Sequence, residues 1–239
     1  MPNGKSTNKS PSPVLGPLAS SLQLGTRVYQ ALLNSIVSAG IEPGAPLRPE
    51  TIAQQLEVST TPVREAMHRL ESDGLAIKLP YQGWFVRQHT RQEIRDLYEL
   101  RVALESFSVE LACQRIGEEE IRWLREHQSV GEAALIAGDM DAYRVYNRDL
   151  HAAIMRAARN SYVSGVMGQL QLQSEMLMAR TIRIVGRPAR AIEEHHRLIE
   201  LIAARDRANA ARLMNQHISS AVEDILSERP QGDGNTSGG

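Results

Sequence analysis

Apolar residues recur at helical spacing through most of this chain. Val28, Leu32, Ile36 and Val37 mark a helix over 22–39 that Gly40 closes. The Pro43-Gly44 pair then makes a turn. Ile52, Ala53 and Leu56 share one side of a short helix over 49–56. Val63, Ala66, Met67 and Leu70 form the stripe of a second over 62–73, with Gly74 suited to its C-terminal end. The runs 75–79 and 84–87 are β-capable and joined by Pro80-Tyr81-Gln82-Gly83, which predicts a small hairpin, and strand signals end there. Beyond residue 90 the pattern is helical throughout, near 91–116, 118–137, 140–158, 161–185, 188–204 and 207–228. Asp139, Asp141, Asn160 and Asp206 fall near the breaks as cap or turn residues, and the short breaks predict an antiparallel bundle.

The fold class is therefore mainly α, in two parts. Residues 21–90 form a winged helix-turn-helix and 91–228 an all-helical antiparallel bundle. The Pro/Ser-rich segment 1–20 and the tail 229–239 have no apolar periodicity and are expected to be disordered. Composition agrees. Of 239 residues, 42% are hydrophobic and only 4% aromatic, so Ala, Leu, Ile, Val and Met must supply the core, as packed helices allow. The single cysteine, Cys113, excludes an internal disulfide framework and a thiolate metal site. No apolar run reaches the roughly 18 residues of a membrane span, so a cytoplasmic protein without a membrane partner is expected. The net charge of −1 argues against nucleic acid until it is divided. Residues 1–90 hold 8 Lys/Arg and 6 Asp/Glu, a net of +2; residues 91–239 hold 19 and 22, a net of −3. A near-neutral chain can still present a basic face on one domain.

Chemistry gathers in two places. In 50–74, two short helices flank the tight turn Glu57-Val58-Ser59. Ser59, Thr60 or Thr61 can cap the second helix, and Pro62 suits its first turn. Such a helix leads with its N-terminal end into a DNA major groove, where backbone N–H groups and cap hydroxyls meet phosphate and an early arginine reaches base edges. Arg64 is that arginine, His68 lies one turn on, and Gly83 at the wing tip permits close approach to DNA. The plain alternative is three packed helices and a hairpin. The second place is the spacing Asn147-x3-His151-x43-His195-x21-His217, spread over three predicted helices that could aim these side chains at one interior point. Three neutral imidazoles and one oxygen ligand suit a divalent ion such as Zn²⁺ or Ni²⁺. The plain alternative is satisfied core or surface histidines. The phase of Leu198 and Ile202 favours His195 over His196 as the inward residue.

Two stretches resemble known families. Gly44-Ala45-Pro46-Leu47-Arg48, the run 52–59 (IAQQLEVS), Thr61-Pro62-Val63-Arg64-Glu65-Ala66, Leu70-Glu71-x-x-Gly74-Leu75 and Gly83-x-x-Val86 resemble the GntR family of bacterial transcription regulators. The resemblance implies DNA contacts from Arg48, Ser59, Thr61, Arg64 and Gly83. Thr60 stands where the family usually has Arg, so the operator is expected to depart from the commonest family sequence. Arg69 and Arg87 are weaker candidates. Residues 91–225 resemble the FCD ligand-sensing domain of the FadR-type branch. The residues that carry this are Leu97-Tyr98-Glu99-Leu100-Arg101-x-x-Leu104-Glu105, His151-x-x-Ile154, Ala157-x-x-Asn160, Glu194-His195-x-x-Leu198 and Met214-x-x-His217. It implies a divalent metal on Asn147, His151, His195 and His217, with Asn147 where Asp is common and a weaker site in consequence. A small carboxylate effector would fill the ion's open positions. Arg101 either holds that carboxylate or pairs with Glu105 at i+4. The expected protein is a repressor, a homodimer on a palindromic double-stranded operator. Its rivals are an all-α metal-dependent enzyme with Glu194 as base, and a metal-free regulator whose histidines bind the effector directly.

Overall fold

A computed structural model describes residues 21–38 and 40–227. The expectations for 1–20, for Ala39 and for the tail from 228 lie outside the described residues. The N-terminal head comprises α1 (Ser21–Val37), β1 (Pro46–Leu47), α2 (Pro49–Gln55), α3 (Thr60–Ser72), β2 (Ala76–Leu79) and β3 (Gly83–Val86). The C-terminal body comprises α4 (Arg91–Arg115), α5 (Glu118–Ala137), α6 (Met140–Ala157), α7 (Ser161–Thr181), α8 (Arg187–Ala203) and α9 (Arg207–Ser227).

The sheet departs from the sequence expectation. A third strand, β1, joins the hairpin in the order β1-β3-β2, with Leu47 opposite Trp84 and Ala76 opposite Val86. Two residues carry no periodicity, and Pro46, which cannot donate, fits only an edge strand. The recognition helix also starts earlier, at Thr60. Ser59 is its N-cap in extended backbone, but no side-chain capping bond forms. At α7 the helix stops at Thr181, short of 185.

Elsewhere the local chemistry acts as expected. Asp139 and Asn160 accept from the Ala142 and Val163 amides at the starts of α6 and α7. Asp206 accepts from the Asn209 amide, and Asp141 sits inside the first turn of α6. Thr90 and Glu93 form a reciprocal capping box that fixes where α4 begins. Glu93 also accepts from Arg87 at 2.6 Å, so the same carboxylate ties the residue after β3 to the first helix of the body.

Two apolar cores result. One gathers Val28, Leu32, Val63, Met67, Leu70 and Trp84 in the head. The other gathers Tyr98, Tyr143, Tyr146, Leu150, Leu198 and Ile202 in the body, where α4 runs along α9. Met176 of α7 belongs to the head core, and Leu172 packs against it. This helix of the C-terminal body is thereby fastened to the head. Among the described residues, no helix is long and apolar enough to cross a membrane.

Candidate functional site

At the head, the first turns of α2 and α3 are drawn together by Arg64, whose guanidinium donates to Glu50 Oε1 at 2.9 Å; both side chains are exposed. Arg48 is the N-cap of α2 and is exposed. Thr60 and Thr61 open α3 behind Ser59. Gly83 has φ +97 and open space around it. Beside it Tyr81, also at positive φ, is fully exposed at the wing tip. Sequence reasoning passed over this residue, although an aromatic inside a Pro-Tyr-Gln-Gly turn has no core to join. His68 meets the edge of Trp84 with ring centroids 5.1 Å apart, bracing the wing on α3. The weaker candidates are occupied: Arg69 lies 4.0 Å over the Tyr29 ring, and Arg87 bonds Glu93.

In the body, the structure brings His151 of α6, His195 of α8 and His217 of α9 together, with one ligand-capable nitrogen from each within 4.8 Å of the others. His195 Nε2 and His217 Nε2 are 3.3 Å apart. His195 is wholly buried while His196 is exposed, as the phase of α8 requires. The other ring nitrogen of each histidine is engaged elsewhere. His151 Nδ1 donates to Glu105 Oε2 at 2.5 Å, and Arg101 Nε holds the other oxygen of that carboxylate at 2.8 Å. His217 Nδ1 donates to Glu194 Oε2 at 2.6 Å, beside Arg187 at 3.0 Å. His195 Nδ1 lies 3.0 Å from the Tyr146 hydroxyl. That hydroxyl donates its one proton to Gln128 Oε1, and the Gln128 amide in turn donates to the Ile192 carbonyl. It must therefore accept from His195.

These contacts assign one tautomer to all three rings. Each carries its proton on Nδ1 and turns an Nε2 lone pair inward, the arrangement that partners outside a metal site impose on its histidines. Two bare nitrogens 3.3 Å apart repel unless a cation lies between them. The donor set therefore fits a divalent ion, with thiolates excluded and imidazoles suited to Zn²⁺ or Ni²⁺. Asn147 lines the same cavity as His151 and His217, but its amide donates to Met178 Sδ at 2.9 Å.

The electrostatics follow from burial. Burial holds His195 well below the ordinary histidine range, and the neighbouring His217, His151 and Arg187 charges add to the effect. Burial also lowers His217 to about 4, against the opposing pull of Glu194. Burial resists ionisation of Glu105 and Glu194, but Arg101 with His151, and His217 with Arg187, outweigh it and bring both carboxyls down to about 2. Glu105, Tyr146, Gln128 and Arg187 were not marked as site residues by the sequence. Glu105, Tyr146 and Arg187 each reach their histidine from a different helix, and Gln128 acts through Tyr146; spacing along the chain does not reveal such pairs.

Beside the cluster, α4, α6 and α7 line an open cavity of ≈240 Å³. It reaches Arg101, Asn147 and His151 on one side and Met167, Ser174 and Glu175 on the other. Arg101 satisfies one sequence reading directly, as the buried partner of Glu105, and also borders this cavity.

A DNA-binding winged head joined to an all-helical sensor domain defines a class: one-chain, ligand-responsive regulators of transcription. The chain belongs to the GntR family: residues 24–86 match the bacterial regulatory proteins of that family, and 96–220 match the FCD domain. It is a transcription regulator, not an enzyme. It is similar to the gluconate operon transcriptional repressor of Bacillus subtilis (strain 168), 28% identical over 86% of this chain and 88% of that one. It is 31% identical to the Nta operon transcriptional regulator of Aminobacter aminovorans, over 80% and 89% of the two chains. Its fold is shared with E. coli McbR/YncC, at a TM-score of 0.72 and 24% identity over 85% and 97%.

Two predictions follow from the geometry. A Cβ at Gly131 would overlap the Tyr146 ring. Gly131→Ala is expected to cost about 1–3 kcal/mol in chemical denaturation, as overpacking does, and to displace the ring that orients His195; a neutral substitution contradicts the packing. The pH dependence has a definite sign. Histidines that resist protonation when folded stabilise above their unfolded value of 6.5, and that stability is lost as pH falls toward 4. The carboxyls extend the loss from 4.5 toward 2. Chelator-treated protein should therefore melt at progressively lower temperature from pH 7 to pH 4, in runs that a flat profile would contradict.

Proposed function

We propose that this chain is a metabolite-responsive repressor that binds a palindromic operator as a homodimer and is released by a small carboxylate bound beside a divalent metal ion. Residues 21–90 carry the DNA-binding head and 91–228 the sensor and dimerisation domain. The observation that carries the reading is the set of three inward Nε2 lone pairs bordering an open cavity. A relative named as the gluconate operon transcriptional repressor supports the reading of repression.

His151, His195 and His217 would hold Zn²⁺ or Ni²⁺, with Asn147 as the oxygen ligand once its amide leaves Met178. Bound there, the ion supplies positive charge and open positions to a carboxylate. Arg101 adds a guanidinium edge at the cavity wall. On the head, Arg64 exchanges Glu50 for a base edge, and Arg48, Ser59, Thr60, Thr61 and Gly83 meet the phosphates. His68 supports the wing from α3.

The two sites communicate through α7. One side of this helix borders the cavity through Met167, Ser174 and Met178. The other side gives Leu172 and Met176 to the head core. Gln173 lies so close to Gly74 that a Cβ there would sit 2.6 Å from its amide nitrogen, and it bonds His89 at 3.4 Å. An effector that fits one position of α7 better than another shifts the head by that difference in affinity.

Elemental analysis of purified protein should find one divalent ion per chain, lost in His195→Ala plus His217→Ala; equal metal in variant and parent defeats the assignment. On an operator selected from random-sequence DNA, Arg64→Ala should weaken binding by about 10- to 100-fold with an unchanged melting temperature. Unaltered affinity would show that α3 docks otherwise.

A further inference from the structure

The cavity beside the cluster has a second polar wall that the carboxylate reading does not use. It lies on α7, where Met167, Gln171, Ser174, Glu175 and Met178 border the space at helical spacing. Glu175 and Ser174 are each only 7% exposed. The Ser174 hydroxyl is buried without a hydrogen-bond partner among the described residues. Glu175 receives one neutral bond, from the Gln171 amide at 3.0 Å.

Glu175 differs from the other two buried carboxylates beside the cluster. Glu105 is held by Arg101 and His151, and Glu194 by Arg187 and His217. Among the described residues, Glu175 has no such cation. A carboxylate taken out of water without a counter-charge is costly. The arginines of α6 that reach the cavity do not supply one: Arg148 bonds its neighbour Asp149 at 2.8 Å, and Arg156 is exposed. The wall thus offers two acceptors, one of them anionic, to whatever enters. One turn beyond Glu175, on the cluster side, the same wall is apolar at Met178, whose sulfur meets Asn147.

We infer that the effector is bipolar: a carboxylate at the histidine end and an ammonium at the other, received by Glu175 and Ser174 across a short apolar spacer. This rests on the sensor reading above and narrows its ligand class from carboxylates to amino-carboxylates. A dicarboxylate of the same length is disfavoured by the charge of Glu175.

The test is calorimetric titration of the zinc-loaded full chain with 4-aminobutanoate, 5-aminopentanoate and 6-aminohexanoate, each against the plain alkanoate of equal length, with glutarate as the dicarboxylate. At least one amino acid is expected to bind about tenfold or more tightly than its matched alkanoate, with glutarate weakest. In Glu175→Gln, which keeps shape and removes charge, that preference should vanish and glutarate should gain. The unliganded variant should melt no lower than the parent, because an uncompensated buried charge has gone. Alkanoates binding as well as amino acids, a preference that survives Glu175→Gln, or a marked fall in melting temperature overturns the inference alone. Failure of every carboxylate to bind overturns it together with the sensor reading.

Discussion

Everything in the sensor body depends on where three imidazole protons sit. Glu105, Glu194 and Tyr146 each take the Nδ1 side of one ring, so three Nε2 lone pairs converge on one point in the core. The partners are themselves fixed. Arg101 and Arg187 hold the two carboxylates, and Gln128 takes the proton of the tyrosine hydroxyl. Arg187 reaches further, donating also to the His217 carbonyl at 2.9 Å, so one buried cation sets both the position and the tautomer of that histidine. Such a network has no slack. A buried polar group that loses its partner bears the full desolvation penalty, which explains why a residue as small as Gly131 is needed to seat Tyr146.

The same constraint gives the cavity its meaning. His151 is the histidine that both faces the cluster and borders the larger cavity, and α7 closes that cavity from the other side. Because α7 also contributes Met176 to the head core, its position is a compromise between two packing environments. Mid-helix Gly165 and Gly168, whose Cβ positions meet open space, leave room along its surface; each costs about 1 kcal/mol of helix propensity relative to Ala. A helix held in this way is a suitable mechanical link. It borders the cavity and contributes to the head core at once.

Much of this was legible in the sequence because helices announce themselves by period. The 3.6-residue rhythm located the elements, and the phase of Leu198 and Ile202 picked His195 rather than its neighbour. The head was legible because its turn and glycine positions are local. What was hidden depends on contacts between distant segments. The pairing of Glu105 with His151 spans 46 residues, and the hydrogen bond of Asn147 to Met178 spans 31. Strand β1 was invisible because two residues have no alternation to detect, and it exists only because β3 offers an edge. Arg69 and Arg87 looked available for DNA because their partners, Tyr29 and Glu93, mattered only after folding. Ser174 and Glu175 looked like an ordinary polar interruption of α7 until the cavity lay beside them.

The central claim is that the convergent lone pairs serve a metal ion. X-ray absorption at the zinc edge of the zinc-loaded full chain tests it most directly. The account predicts a shell of nitrogen and oxygen scatterers with the multiple-scattering signature of three imidazoles, falling to two in His151→Gln. A zinc shell without imidazole scattering, or one unchanged by that substitution, would contradict it.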